Sequence, residues 1–296
     1  MSGKQPETPF VFNHTVVGVS HVKAGKPCQD YSLSEFNPEK FINPQKQYAI
    51  AVVADGHGSS DYFRSDRGSR MACEAAKESV RMLMQDSKQG LNTNDGINHL
   101  LENPDKYMDG LKKSIITLWR NAVAEDYTKE PFTQEELNSM SDKKRYRFSE
   151  NEEQRYVDAY GTTLIVIVKH PRFWFGLHIG DGKCVACYPD SVTNQPIPWD
   201  SRCFLNITTS LCDENALEYF RHSFHEDDFP DAIYIATDGV DDSFGTDEHL
   251  YDFYQKLTKS FAEKGAEKTV LELKTFLPQL TEKGSGDDIS IAGITL

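Results

Sequence analysis

The segment Thr162–Tyr188, which reads TTLIVIVKHPRFWFGLHIGDGKCVACY, is the part of the chain that decides its fold class. It holds three runs rich in β-branched and aromatic residues, at 162–168, 172–179 and 183–188. Runs of this length and composition predict β-strands. The short connections between them are typical of antiparallel neighbours, because parallel strands need long crossovers. We therefore expect these three strands to form an antiparallel meander.

The rest of the chain indicates an α+β protein, because predicted strands and helices come in groups and do not alternate regularly. Pro278 lies inside the last predicted helix and is expected to kink or shorten it. The highly charged stretch 126–158 is predicted to be a surface insertion that includes a short helix begun by the capping box Thr133–Glu136. The proline-containing stretch 189–229 is predicted to be a flap. We expect residues 1–296 to form a single domain.

Charge and composition exclude several classes of function. The chain has 46 acidic and 32 basic residues, a net charge of −14, which argues against binding to nucleic acid or to an anionic membrane surface. No apolar run is long enough to span a bilayer, and the N-terminus lacks the apolar core of a signal peptide. We therefore expect a cytoplasmic monomer with reduced cysteines. Cys184 and Cys187 are interpreted as ordinary strand residues.

Carboxylates follow the ends of several apolar runs. Asp55, Asp181 and Asp238 each come directly after such a run and directly before a glycine, and Asp287-Asp288 precedes the closing run 289–296. Carboxylate and carbonyl oxygens are the ligands that Mg²⁺ and Mn²⁺ prefer.

Asp55, Asp238 and Asp287 are therefore candidate metal ligands, and Gly56 can add its carbonyl because glycine allows a close backbone approach. An Asp-Gly pair is also a common turn. Asp181-Gly182, with strands close on both sides, is the best candidate for a plain turn.

Five short motifs in a fixed order make the interpretation more specific. They are Asp55-Gly-His-Gly58, Tyr160-Gly-Thr-Thr163, Ile179-Gly-Asp-Gly182, Thr237-Asp-Gly-Val-Asp-Asp242 and Gly286-Asp-Asp-Ile-Ser290. In this order they resemble the motifs of the PPM/PP2C family of metal-dependent serine/threonine protein phosphatases, in a divergent branch of bacterial type. The resemblance extends from about residue 14 to residue 296.

The resemblance implies a four-layer α-β-β-α sandwich of two antiparallel sheets flanked by helices. It also implies a phosphorylated protein as substrate, whose phosphoserine or phosphothreonine is hydrolysed by water activated at a binuclear Mn²⁺ or Mg²⁺ centre, without a phosphoenzyme. Asp55, Gly56, Asp238 and Asp287 would hold the two ions. Asp181 and Asp242 match positions that support a third, weakly bound ion.

Two further roles come from the resemblance. His57 matches the proposed general acid that protonates the leaving oxygen, a task for which imidazole is suited. A structural hydrogen bond and a direct metal contact are the alternatives for His57. Asp30 matches a residue that holds metal-bound water.

The N-terminal motif departs from that of better-known members. They carry an arginine, three further residues and then Glu-Asp, whereas this chain has Gly25 in the arginine place and Gln29 in the glutamate place. A nearby basic residue could take over the phosphate contact, and the alternative is that all of them are surface charges. The candidates are Lys23, Lys26, Arg64, Arg67 and Arg70.

Two other functions are weighed against phosphatase activity. The substitutions at Gly25 and Gln29 favour a catalytically weak or inactive regulatory or binding module with the same fold. A phosphohydrolase that forms an aspartyl-phosphate would need Asp-x-Asp after the first strand. The sequence Asp55-Gly-His57 argues against it.

Overall fold

The computed structural model describes residues 9–37, 47–85, 91, 93–151, 155–205 and 207–295. Within these ranges the chain forms two five-stranded sheets, and every strand pair is antiparallel. The strands are β1 (Phe10–Val16), β2 (Tyr31–Phe36), β3 (Ala49–Ala54), β4 (Leu164–His170), β5 (Phe173–Ile179), β6 (Lys183–Cys187), β7 (Thr193–Asn194), β8 (Arg221–Glu226), β9 (Ala232–Ala236) and β10 (Ile289–Thr295). One sheet has the order β1-β10-β9-β6-β7 and the other β2-β3-β4-β5-β8.

The longest α-helices pack on the outer faces of the two sheets, and the described residues form ten α-helices in all. They are α1 (Val19–Ala24), α2 (Ser65–Gln85), α3 (Asn94–Glu102), α4 (Pro104–Lys129), α5 (Gln134–Ser139), α6 (Asp142–Glu150), α7 (Ala216–Tyr219), α8 (Asp238–Asp241), α9 (Asp247–Lys264) and α10 (Ala266–Lys283). α2 and α4 cover the sheet that contains β3, and α9 and α10 cover the sheet that contains β9. The predicted four-layer sandwich is therefore confirmed.

Strand periodicity explains why three apolar layers form. Side chains alternate between the two faces of a strand. In β3, Ile50 and Val52 face the helices while Ala51 and Val53 face the other sheet. β4, β9 and β10 alternate in the same way. Both faces of these central strands are buried, which accounts for their continuous apolar sequences.

The predicted meander over 162–188 is wrong in one respect. β4 and β5 pair as expected, but β6 leaves that sheet and pairs with β9 in the other. Gly180 has a φ of 112°, which a residue with a side chain rarely adopts, and begins the crossing. Asp181 therefore lies where the chain passes between the sheets, and the plain hairpin turn is excluded.

Three other expectations can be compared with the structure. α10 continues through Pro278 to Lys283, so the predicted shortening is wrong. The charged stretch is largely helical, and Thr133 and Glu136 form the expected capping box at the start of α5. The stretch 189–229 contains β7, α7 and β8 between irregular segments.

Candidate active site

The carboxylates of the sequence motifs meet at one edge of the sandwich. Asp55 follows β3, Asp238 opens α8 just after β9, and Asp287 lies just before β10. β9 and β10 are neighbours in one sheet, and β3 belongs to the other sheet. These three carboxylates, together with Asp181 and Asp242, line a cleft of about 670 Å³.

Cleft volume alone does not select this site. A groove between α2 and α4 has a similar volume of about 580 Å³, but no aspartate or glutamate is among the described residues that line it. A cavity of about 590 Å³ beside α2 is lined by four acidic residues, but Arg67 and Arg70 line it as well. The cleft that contains Asp55 differs because its five carboxylates have no lysine or arginine beside them among the described residues.

The Gly-Thr-Thr motif holds the backbone of the Asp55 loop. Thr163 Oγ1 accepts a hydrogen bond from the Asp55 N–H at 3.1 Å. The Asp55 carbonyl accepts from the Thr163 N–H and from Thr162 Oγ1, both at 2.8 Å. A larger residue could not replace Gly161, because its Cβ would lie only 2.7 Å from Cδ2 of His57. The motif therefore fixes both Asp55 and His57.

Asp30 lies beside these carboxylates in the packed interior. Its Oδ2 accepts a hydrogen bond from Thr237 Oγ1 at 2.7 Å. Thr237 directly precedes Asp238, so this bond links the N-terminal motif to the strand end of β9. Asp30 is 5% exposed, and its predicted contact with metal-bound water stays a prediction.

Burial and mutual repulsion raise the pKa of several of these carboxyl groups. Burial raises the pKa of Asp55 well above its usual range, and the charge of Asp238 adds to this effect. Burial raises the pKa of Asp238 to about 7, with repulsion from Asp181 and Asp287 also contributing. The pKa of Asp30 is raised in the same way, first by burial and then by neighbouring carboxylates.

This donor set fits a hard divalent cation. No lysine or arginine is among the described residues that line the cleft, so a bound cation is the natural partner for the clustered negative charge. Gln29, in the place of the family glutamate, has a buried Oε1 without a hydrogen-bond partner among the described residues. Such an oxygen is available to a water or an ion. Gly56 is buried in the loop, and the role of its carbonyl stays a prediction.

His57 faces the cleft as a neutral imidazole. Burial lowers its pKa to about 4, and the positive charge of Lys144 contributes. The ring packs edge-on against Tyr62, with 4.7 Å between centroids. The sequence places His57 in the cleft correctly, whereas its role as general acid stays a prediction.

The expectation that Arg64 contacts phosphate is wrong. Its side chain is only 2% exposed, and its guanidinium donates to both carboxylate oxygens of Glu136, at 2.7 and 3.1 Å. It also donates to the Glu130 carbonyl and the Tyr160 hydroxyl. Arg64 therefore anchors the charged stretch to α2.

The expectation that Arg67 contacts phosphate is also wrong. Its guanidinium pairs with Asp126 and Glu130, and Arg67 is not among the described residues that line the cleft. Lys26 donates to the carbonyl of Gly58, a cleft residue, at 3.2 Å. Lys23 is exposed on α1. Phosphate binding by either lysine stays a prediction.

Sequence reasoning missed several residues at the cleft. Leu205, Ile207 and Thr208 of the flap line it, as does Tyr62. The proline-rich composition indicated a flap but gave no sign of which residues reach the site. Lys144 acts on His57 from α6, and its position depends on how α6 docks, which no local pattern predicts.

Comparisons with known proteins agree with this geometry. The protein phosphatase 2C family model matches residues 17–278, and the chain belongs to this family. A search of curated proteins by sequence found no match. Among described residues, no helix is long and apolar enough to cross a membrane.

Solved structures with the same fold include several bacterial proteins. The serine/threonine phosphatase PstP of Mycobacterium tuberculosis is 12% identical, with a TM-score of 0.55, over 97% of this chain and 98% of that one. Stp1 of Staphylococcus aureus is 13% identical, with a TM-score of 0.53, over 100% and 99%. PppA, a regulatory component of the type VI secretion system in Pseudomonas aeruginosa, is 12% identical, with a TM-score of 0.56, over 98% of each chain. At these identities the likeness establishes the fold alone.

Proposed function

We propose that this protein is a metal-dependent protein serine/threonine phosphatase. The observation that carries the proposal is the convergence of Asp55, Asp181, Asp238, Asp242 and Asp287 with His57 in one cleft. A PstP catalytic domain of the same fold, 13% identical and with a TM-score of 0.55, was crystallised with two manganese ions, which supports a divalent-metal requirement here.

Asp55, Asp238 and Asp287, with the Gly56 carbonyl, would hold two Mn²⁺ or Mg²⁺ ions, and Asp181 with Asp242 a weaker third. When bound, the ions would supply activation of water and neutralisation of phosphoryl charge. Thr162 and Thr163 hold the Asp55 backbone in place for this task.

His57 is proposed to give a proton to the leaving serine or threonine oxygen. An imidazolium with a pKa of about 4 gives up its proton more readily than an ordinary one, but only a small fraction of His57 is protonated at pH 7. Lys144 is therefore expected to restrain the rate near neutrality, because it disfavours the imidazolium.

The experiment is hydrolysis of a phosphothreonine peptide by the full chain with Mn²⁺, with Mg²⁺ and with EDTA. We expect activity only with added metal, and loss of at least about 10²-fold in Asp238→Ala. Asp252→Ala, at an exposed position on α9, is the matched control. Activity in EDTA, or an active Asp238→Ala variant, contradicts the proposal.

A module with weak or absent catalysis is the second candidate. It is favoured by the lack of arginine among the described cleft residues. Metal binding without peptide hydrolysis in the same experiment would support this module and refute the phosphatase.

We also propose that the chain acts as one catalytic domain. The apolar layer between the sheets contains β3 and β4 residues packed with those of β9 and β10. This shared core, and a family match that includes strands of both sheets, support the single-domain proposal.

A further inference from the structure

His21 lies four residues before Gly25 and has no role in the function proposed above. It lies on α1, and its Nδ1 is 2.9 Å from Oδ2 of Asp288. Asp288 is buried, and its two oxygens also accept the N–H groups of Gly18 and Gln29, each at 2.6 Å. Because this carboxylate is used as an acceptor on both oxygens, Nδ1 of His21 is the donor.

The second ring nitrogen of His21 is consequently directed at a predicted metal ligand. Nε2 is 3.8 Å from Oδ1 of Asp287, which is too long for a hydrogen bond. An ion about 2.1 Å from each atom would span up to about 4.2 Å, so one ion can reach both. The three residues His21, Asp287 and Asp288 offer ligand atoms within 4.8 Å of one another.

The surroundings of these atoms suit a coordinated ion. The side chain of Asp287 is 57% exposed and that of His21 is 12% exposed, so an ion can enter from solvent. A histidine that donates one N–H to a carboxylate while the other nitrogen binds metal is a recurrent arrangement, because the carboxylate fixes the ring and its tautomer. Asp288 is placed to do this for His21.

We propose that His21 is a nitrogen ligand for a divalent transition-metal ion that it shares with Asp287. This rests on the proposed role of Asp287 as a metal ligand. Asp287 Oδ1 lies 3.8 Å from Nε2 of His21 and also accepts the Asp288 N–H at 2.8 Å, and the Asp287 residue lines the cleft. A nitrogen donor favours later transition metals over Mg²⁺. Through His21 the chain therefore selects a later transition-metal ion such as Co²⁺ over Mg²⁺.

The test is electron spin echo envelope modulation of Mn²⁺ bound to the metal-stripped full chain. We expect modulation from a ¹⁴N ligand that changes when histidine is labelled with ¹⁵N. It disappears in His21→Ala and remains in His249→Ala, which removes an exposed histidine of α9. His21→Gln, a milder change, is measured in parallel, and circular dichroism establishes that each variant is folded.

Metal affinity gives a second readout. His21→Ala is expected to weaken Co²⁺ binding about 10-fold and Mg²⁺ binding less than about 2-fold. Bound Mn²⁺ without nitrogen modulation, or modulation that persists in both His21 variants, overturns the inference and leaves the phosphatase proposal standing. If the chain binds no Mn²⁺ at all, both are overturned.

Discussion

Replacing Asp238 by asparagine is expected to abolish activity while stabilising the metal-free protein. The carboxyl has a pKa of about 7 because it is buried among other carboxylates. Its ordinary pKa is about 3.9, and each tenfold change in proton affinity corresponds to about 1.36 kcal/mol. The largest penalty that folding imposes on the ionised group is therefore about 4 kcal/mol. The repulsion between Asp238 and Asp55 also raises the pKa of Asp55, so part of this penalty is not borne by Asp238 alone. We therefore expect Asp238→Asn to raise the free energy of unfolding by about 1–3 kcal/mol in EDTA at pH 8.

The stability gained by Asp238→Asn should increase as pH rises. Between about pH 4 and 7 the folded chain holds a proton at Asp238 that the unfolded chain has released, so wild-type stability falls as pH rises through this window. Asparagine does not titrate. The difference between variant and wild type should therefore be close to zero below about pH 4 and complete above about pH 7.

Urea unfolding in EDTA, at several pH values, measures this difference. Mn²⁺ at about 100 times its Kd should raise the free energy of unfolding of the wild type by about 2.7 kcal/mol, and that of the variant by much less. Asp252→Asn removes one negative charge in the same way, but at an exposed position on α9. Its free energy of unfolding should stay within about 0.5 kcal/mol of the wild-type value. A metal-free Asp238→Asn protein that is less stable than wild type at pH 8 would refute the reasoning, because Asp238 would then be a structural carboxylate.

Three more predictions concern the supports of the site. Arg64→Met should lower the free energy of unfolding by about 1.5–3 kcal/mol in urea titrations, because the partly buried Glu136 carboxylate and Glu130 carbonyl lose a charged hydrogen-bond donor; an unchanged midpoint would contradict the anchoring role. Thr163→Val should cost about 1–3 kcal/mol, since the Asp55 N–H loses its acceptor, and calorimetry should show weaker Mn²⁺ binding than in wild type. Lys144→Met should raise the pKa of His57, seen by NMR in the metal-free chain, and move the alkaline limb of the pH–rate profile, where activity falls as His57 loses its proton, to higher pH; an unmoved limb would argue against His57 as the acid.

Much of the fold could be predicted because it depends on local pattern and on motif order. The continuous apolar runs of β3, β4 and β5 identify buried strands, and the motifs place Asp55 and Asp238 at strand ends that meet. The crossing at Gly180 could not be predicted in this way. A glycine between two strands is equally consistent with a hairpin, and the choice depends on β9 being available as a partner for β6.

The basic residues illustrate a second limit. Arg64 and Lys26 look alike in sequence, since both are cations beside a site motif. Only the docking of the stretch that contains Glu136 shows that Arg64 is buried and already paired. His21 shows the same limit, because its contact with Asp288 joins residues from opposite ends of the chain and no local pattern predicts it.

The most direct test of the central claim is anomalous diffraction from crystals of the full chain soaked in Mn²⁺. We expect two strong manganese peaks in the cleft, in contact with Asp55, Asp238 and Asp287. A cleft that holds no manganese at millimolar Mn²⁺, or manganese found only at sites remote from these three carboxylates, would contradict that claim.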